Sequence, residues 1–145
     1  MIINEKVLEV HEWLLPDPIS EESGSSTWQA ITDIPLLKNH SPTHFELEIE
    51  WRDQGDGEKK GGLRIELVRN GTPIAELDLM QCPHEKRRDV IKADIVCHYD
   101  ILGFAQTGDH FRLSYMVGDS IFDEEHELYI FFIKFKFWAQ VLSGK

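Results

Sequence analysis

The chain has 145 residues, 41% of them hydrophobic and 28% charged, which suits one domain with a real core and excludes a disordered tail. Its 26 acidic against 15 basic residues give a formal net charge of -11. Such a chain repels phosphate backbones and anionic lipid, so a basic protein or a cation is the better-matched partner and nucleic acid is not expected.

The longest uninterrupted apolar run, Leu128 to Ile133, falls well short of the roughly 20 residues a spanning helix needs, so no membrane span is expected. Met1-Ile2-Ile3-Asn4-Glu5 lacks the basic start and apolar core of a signal peptide, which makes a cytoplasmic location the expectation. Cys82 and Cys97 form no disulfide framework; each stands in or beside an apolar stretch, where cysteine packs as a small hydrophobe.

In chain order, Lys6 to Trp13 reads as a first strand. A polar loop over about 16–26 follows, carrying Pro16, Pro18 and the run Ser20-Glu21-Glu22-Ser23-Gly24-Ser25-Ser26, and then a short strand around Thr27 to Thr32. The firmest strand is Phe45-Glu46-Leu47-Glu48-Ile49-Glu50-Trp51, where odd positions are apolar and even ones acidic; only an extended chain sends those two sets to opposite faces. Leu63, Ile65 and Leu67 repeat the rhythm up to Asn70-Gly71, a pair that tolerates the positive φ of a tight turn. Ile74 to Met80 completes that hairpin, with Pro73 marking its second strand's start because proline cannot donate to a ladder.

Val90 to Val96, then Phe111 to Val117, read as further strands, with one short helical turn over Leu102 to Gln106 between them. Leu128 to Val141 is the longest strand and suits the middle of a sheet; its second half places Phe131, Ile133, Phe135 and Phe137 on one face. About seven or eight short strands with turns between them describe an all-β chain, an antiparallel β-sandwich of jelly-roll type, in a single domain over 1–145.

The stretch Arg52-Asp53-Gln54-Gly55-Asp56-Gly57-Glu58-Lys59-Lys60-Gly61 resembles a signature of fungal and algal β-sandwich regions: Arg-Asp-Gln-Gly, an aromatic, Gly, then Lys-Gly and a strand. Some of those regions lie beside F-box or ankyrin segments. Gly108-Asp109-His110-Phe111 through Val117-Gly118, and His126-Glu127-Leu128-Tyr129-Ile130, are similar to later strands of the same regions. The likeness implies a jelly-roll related to galactose-binding-like domains. Two departures stand out: Asp56 occupies the place of the usual aromatic, and Asp119 to Glu125 replaces a glycine-rich turn.

Candidate sites follow from the loops. Asp53, Asp56 and Glu58 cluster in one, and Asp119, Asp123, Glu124 and Glu125 in another; together they form either solvated turns or a cation site of the kind calcium takes from oxygen ligands. Arg52 beside Asp53 also suits a structural role, a guanidinium tying the loop to backbone carbonyls. Of the tryptophans, Trp51 falls on the inward register of its strand, whereas Trp13 and Trp28 flank the polar loop and are the better surface aromatics.

His40 with His44, Cys82 with His84, and Cys97 with His98 do not make the spaced groups of a tetrahedral zinc site, so no metal is assigned. On a strand, Cys97 and His98 would point to opposite faces, which leaves the thiol without an activating base. There is no Gly-x-Ser-x-Gly elbow, Gly-x-Gly-x-x-Gly motif or P-loop, and neither catalytic residue nor cofactor is assigned. The expected function is a non-catalytic module that recognises a protein partner through loops at one end. Its alternatives are a calcium-dependent glycan or lipid binder and a structural, particle-forming subunit.

Overall fold

The computed structural model describes residues 6–21, 27–53, 61–79, 82–83, 85–117 and 127–142. In chain order they form β1 (Lys6–Leu14), β2 (Ile19–Glu21), β3 (Gln29–Pro35), β4 (His40–Asp53), β5 (Gly62–Arg69), β6 (Thr72–Leu79), β7 (Arg87–Asp94), the one-turn helix α1 (Tyr99–Leu102), β8 (His110–Met116) and β9 (Leu128–Leu142). No helix among the described residues is long and apolar enough to cross a membrane.

Two antiparallel sheets face each other. One runs β1-β9-β4-β7, with β2 also paired to β9; the other runs β3-β8-β5-β6. β1 and β2 share one strand position, pairing with the later and earlier parts of β9. That interleaving is the jelly-roll order: each sheet takes strands from both halves of the chain, and the first strand lies beside the last. The fold is therefore the expected all-β sandwich.

The period-2 rhythm of β4 becomes its packing. Phe45, Leu47, Ile49 and Trp51 are buried, while Glu46, Glu48 and Glu50 lie half-buried on the outer face. Between the sheets they meet Leu63, Ile65 and Leu67 of β5, Phe111 and Leu113 of β8, and Ile133, Phe135 and Phe137 of β9. Trp51 keeps its one polar atom satisfied, its indole N–H donating to Asp89 Oδ2 of β7 at 2.8 Å. The Asn70-Gly71 turn is as expected, with φ of 51° and 79° and Arg69 paired to Thr72. Pro73 sits in β6, an edge strand, where its missing N–H leaves no central ladder broken.

The structure corrects the sequence reading in four places. Ile19–Glu21 pairs with Leu128–Ile130 instead of lying in a polar loop; Pro16 and Pro18 precede this edge strand, and its Ile19 packs on the core. Phe131 does not share the inward face of Ile133, because the β4–β9 register slips between Glu50 and Trp51; the bulge turns Phe131 and Phe132 both outward. The helical turn begins at Tyr99, three residues before the expected start, and ends at Leu102. Finally, β7 stops at Asp94, so Cys97 and His98 occupy a turn rather than a strand, and Cys97 is exposed rather than packed. There Asp94 Oδ1 accepts from the Cys97 backbone N–H at 2.8 Å, closing the turn that strand extension would have opened.

Candidate functional site

The strand ends fix which loops are neighbours. β4 ends at Asp53 opposite Leu128, where β9 begins, and β5 begins at Gly62 opposite Met116, where β8 ends. The stretches 54–60 and 118–126 are thus tethered at adjacent strand ends, on the same side of the sandwich as the exit of β2 and the entry of β3. Gly61 is at the centre of this end: a Cβ there would lie 2.9 Å from Leu128 Cδ1 and 3.0 Å from the Met116 carbonyl oxygen. Cys82 and Pro83 close the same end, Cys82 N donating to the Gly61 carbonyl at 3.1 Å and the Pro83 carbonyl accepting from Asp53 N at 2.8 Å.

Of the loop residues singled out in the sequence, Asp56, Glu58, Asp119, Asp123 and Glu124 lie outside the described residues. Arg52 and Asp53 turn out to be the last residues of β4. Arg52 lays its guanidinium 4.2 Å from the centre of the Tyr129 ring and donates to the Asp53 carbonyl at 3.2 Å. Asp53 is fully buried on the inward register. Both residues hold the base of the loop.

Beside this end the two sheets part. β1 and β2 form one lip and the edge strand β3 the other, leaving a cleft of about 550 Å³. Its floor is apolar, from Trp13, Leu15, Ile19 and Ile31, all packed on the core. Its polar wall is a bridge between sheets: the Tyr115 hydroxyl donates to Glu21 Oε1 at 2.9 Å and lies 3.1 Å from Gln29 Oε1. Burial first, and then the Glu21 carboxylate, push the Tyr115 hydroxyl up to about 12. Trp13, one of the two expected surface aromatics, belongs to this cleft.

Trp28 does not. It is half-buried on the outer face of the second sheet, its ring covered by the Arg64 guanidinium at 4.2 Å. Arg64 is in turn held bidentately by Asp78 at 2.7 and 2.9 Å, so Trp28 presents a capped face. A comparable set decorates the bulge on the other sheet, where Lys86 and Arg88 each stand 4.8 Å from the Phe131 and Phe132 ring centres.

The histidines also fall differently from their order in the chain. His44 stacks on Trp138 at 4.3 Å on the outer face, away from His40. His84 lies outside the described residues. Among the described residues, the metal-capable side chains that converge are Glu9, His11 and His40, with one ligand atom from each within 4.8 Å of the others. Sequence reading missed this trio because it spans two strands; the only local signal was Glu9-x-His11, which alternation puts on one face.

No protein-family model and no curated protein sequence matches the chain. Solved structures match the fold. A chain of infectious bursal disease virus, Gx strain, superposes with a TM-score of 0.55 at 10% identity over 95% of this chain. The VP2 subviral particle of infectious bursal disease virus gives 0.52 at 9% identity over 94%. This chain spans only 37% and 38% of the length of those proteins. At such identity the likeness establishes the jelly-roll and nothing further.

Proposed function

We propose that the chain is a non-catalytic binding module whose ligand is a basic, extended segment of a protein partner, seated in the cleft between β1–β2 and β3. The observation that carries this reading is the cleft's composition: an apolar floor with Trp13 and Ile31, walled by the Glu21 carboxylate, on a chain of net charge -11. Apolar side chains of a peptide would seat on the floor, while lysine or arginine would meet Glu21 and the surrounding negative field. Among the described residues β3 pairs only with β8, so its other edge is available for main-chain pairing with an incoming strand. The chemistry of the cleft also argues against general-base work. Its hydroxyl, hydrogen-bonded to the Glu21 carboxylate, is pushed up to about 12, far from a group poised near the working pH.

An array of extended decapeptides, varied in lysine and arginine content, tests this directly. Binding should track basic content and weaken steeply between low and high salt. Affinity that ignores ionic strength, or a preference for acidic peptides, would contradict it.

A second reading is a self-associating structural subunit. The observation favouring it is the outward row Leu8, Val10 and Leu14 on edge strand β1, each more than half exposed. Light scattering of the wild type against Val10→Lys decides: a concentration-dependent oligomer lost in the variant supports this reading, and a monomer throughout removes it.

A further inference from the structure

The geometry points to a divalent transition-metal site of zinc type, formed by Glu9, His11 and His40, that clips the edge strand β1 to the start of β4. Three observations carry it.

The first is spacing. Glu9 Oε2 lies 3.2 Å from His40 Nε2 and 3.7 Å from His11 Nε2. Two ligands bound to one tetrahedral zinc at about 2.1 Å stand about 3.4 Å apart, so both separations are those of atoms able to share an ion. The imidazole rings of His11 and His40 are 5.1 Å apart between centroids, near enough to turn their nitrogens to one point.

The second is the arrangement of lone pairs. His40 Nδ1 is 2.9 Å from the Lys38 carbonyl oxygen. That oxygen only accepts, so Nδ1 carries a hydrogen and Nε2, the atom that faces Glu9, is the one left to ligate a metal. Nε2 and the Glu9 carboxylate oxygen stand 3.2 Å apart, a contact that either a shared proton or a shared metal ion satisfies. His11 Nε2 adds a third polar atom, shut off from solvent and without a hydrogen-bond partner among the described residues. An imidazole hydrogen bonded through one nitrogen to a backbone carbonyl, with the other nitrogen aimed at further donors, is the usual second-shell arrangement of a ligating histidine.

The third is that the side chains are held. Alternation along β1 puts Glu9 and His11 on one face, opposite Ala139 and Phe137 of β9. The His11 ring stacks on Phe137 at 4.9 Å and 22°. His40 enters from a tight turn in which Asn39 takes φ of 64° and His40 N donates to the Leu37 carbonyl at 3.2 Å. Nitrogen ligands select zinc or a neighbouring first-row ion over calcium or magnesium, and three protein ligands leave a fourth position on the exposed Glu9 side.

The test uses the full, untagged chain freed of metal by chelator. Zinc titrated by calorimetry should bind at one ion per chain, and cobalt should give the intense visible bands of a tetrahedral nitrogen-oxygen site. His11→Ala and His40→Ala should each weaken zinc by at least about ten-fold, while His98→Ala and Cys97→Ser, at the turn before α1, should leave it unchanged. At a fixed zinc concentration the rise in Tm should be smaller in each histidine variant than in the wild type. Should those variants fail to fold, nitrogen NMR of wild-type imidazoles replaces them, with zinc moving the ring signals of His11 and His40. No zinc uptake, uptake equally tight in both variants, or shifts confined to other histidines would overturn the site.

Discussion

The Tyr115 hydroxyl and the Glu21 carboxylate meet at 2.9 Å across the gap between the two sheets, joining β8 to β2 at the mouth of the cleft. Because Tyr115 is buried and its partner is an anion, losing its proton puts two negative charges together away from water. Spectrophotometric titration should therefore show one of the three tyrosines ionising late, at about 12, and Glu21→Gln should bring that step down. A tyrosine ionises near 10 when unfolded, so this contribution is complete below about 10 and drains away as pH rises through the folded value. Three tyrosines titrating together near 10 would refute the bridge.

Asp109 is the buried anchor of the opposite end. Arg69 grips it bidentately with both bonds at 2.9 Å, and Gln106 N adds a third at 2.9 Å. The Arg69 hydrogen bonds hold its carboxyl below the ordinary carboxylate range against the opposing effect of burial. The stabilisation is present above about 3.9, the unfolded value, and is lost as pH falls through the folded one. Asp109→Asn should cost about 2 kcal/mol at pH 7, measured by urea unfolding, and the gap to wild type should narrow below pH 4. A gap constant down to pH 2 would show that the charge is not what matters.

Gly61 lies where the two acidic stretches are tethered. Gly61→Ala should destabilise by about 1–3 kcal/mol, because the new methyl meets Leu128 Cδ1 at 2.9 Å and a backbone oxygen at 3.0 Å. An unchanged Tm would mean that this end is loosely packed.

The two cysteines should separate by reactivity. Cys97 is exposed and Cys82 is 1% exposed. A thiol reagent should label one group promptly and the second only on unfolding. Equal rates for both would place Cys82 elsewhere.

Much of the sandwich is legible in the sequence, and the reasons are local. β4 and the β5–β6 hairpin announce themselves because a sheet with one wet face requires strict alternation, and Asn70-Gly71 supplies the turn between two such runs. What stays hidden depends on partners. β2 is three residues between prolines and serines, and it becomes a strand only because β9 extends beyond β1. Phe131 continues the apolar rhythm of its own strand, yet a bulge against β4 turns it outward. Arg52 and Asp53 look like the start of a loop because a buried carboxylate carries no apolar signal. The Glu9, His11 and His40 trio is assembled by pairing between distant strands, which no spacing along the chain records.

The most direct test of the binding account is to map where a basic peptide from the array sits, by amide chemical shifts in wild type, Trp13→Ala and Glu21→Gln. Shifts should be confined to β1, β2, β3 and Tyr115, with about a ten-fold loss of affinity in Trp13→Ala. Shifts on the outer faces, around Trp28 or Phe132, with affinity intact in both variants, would contradict it.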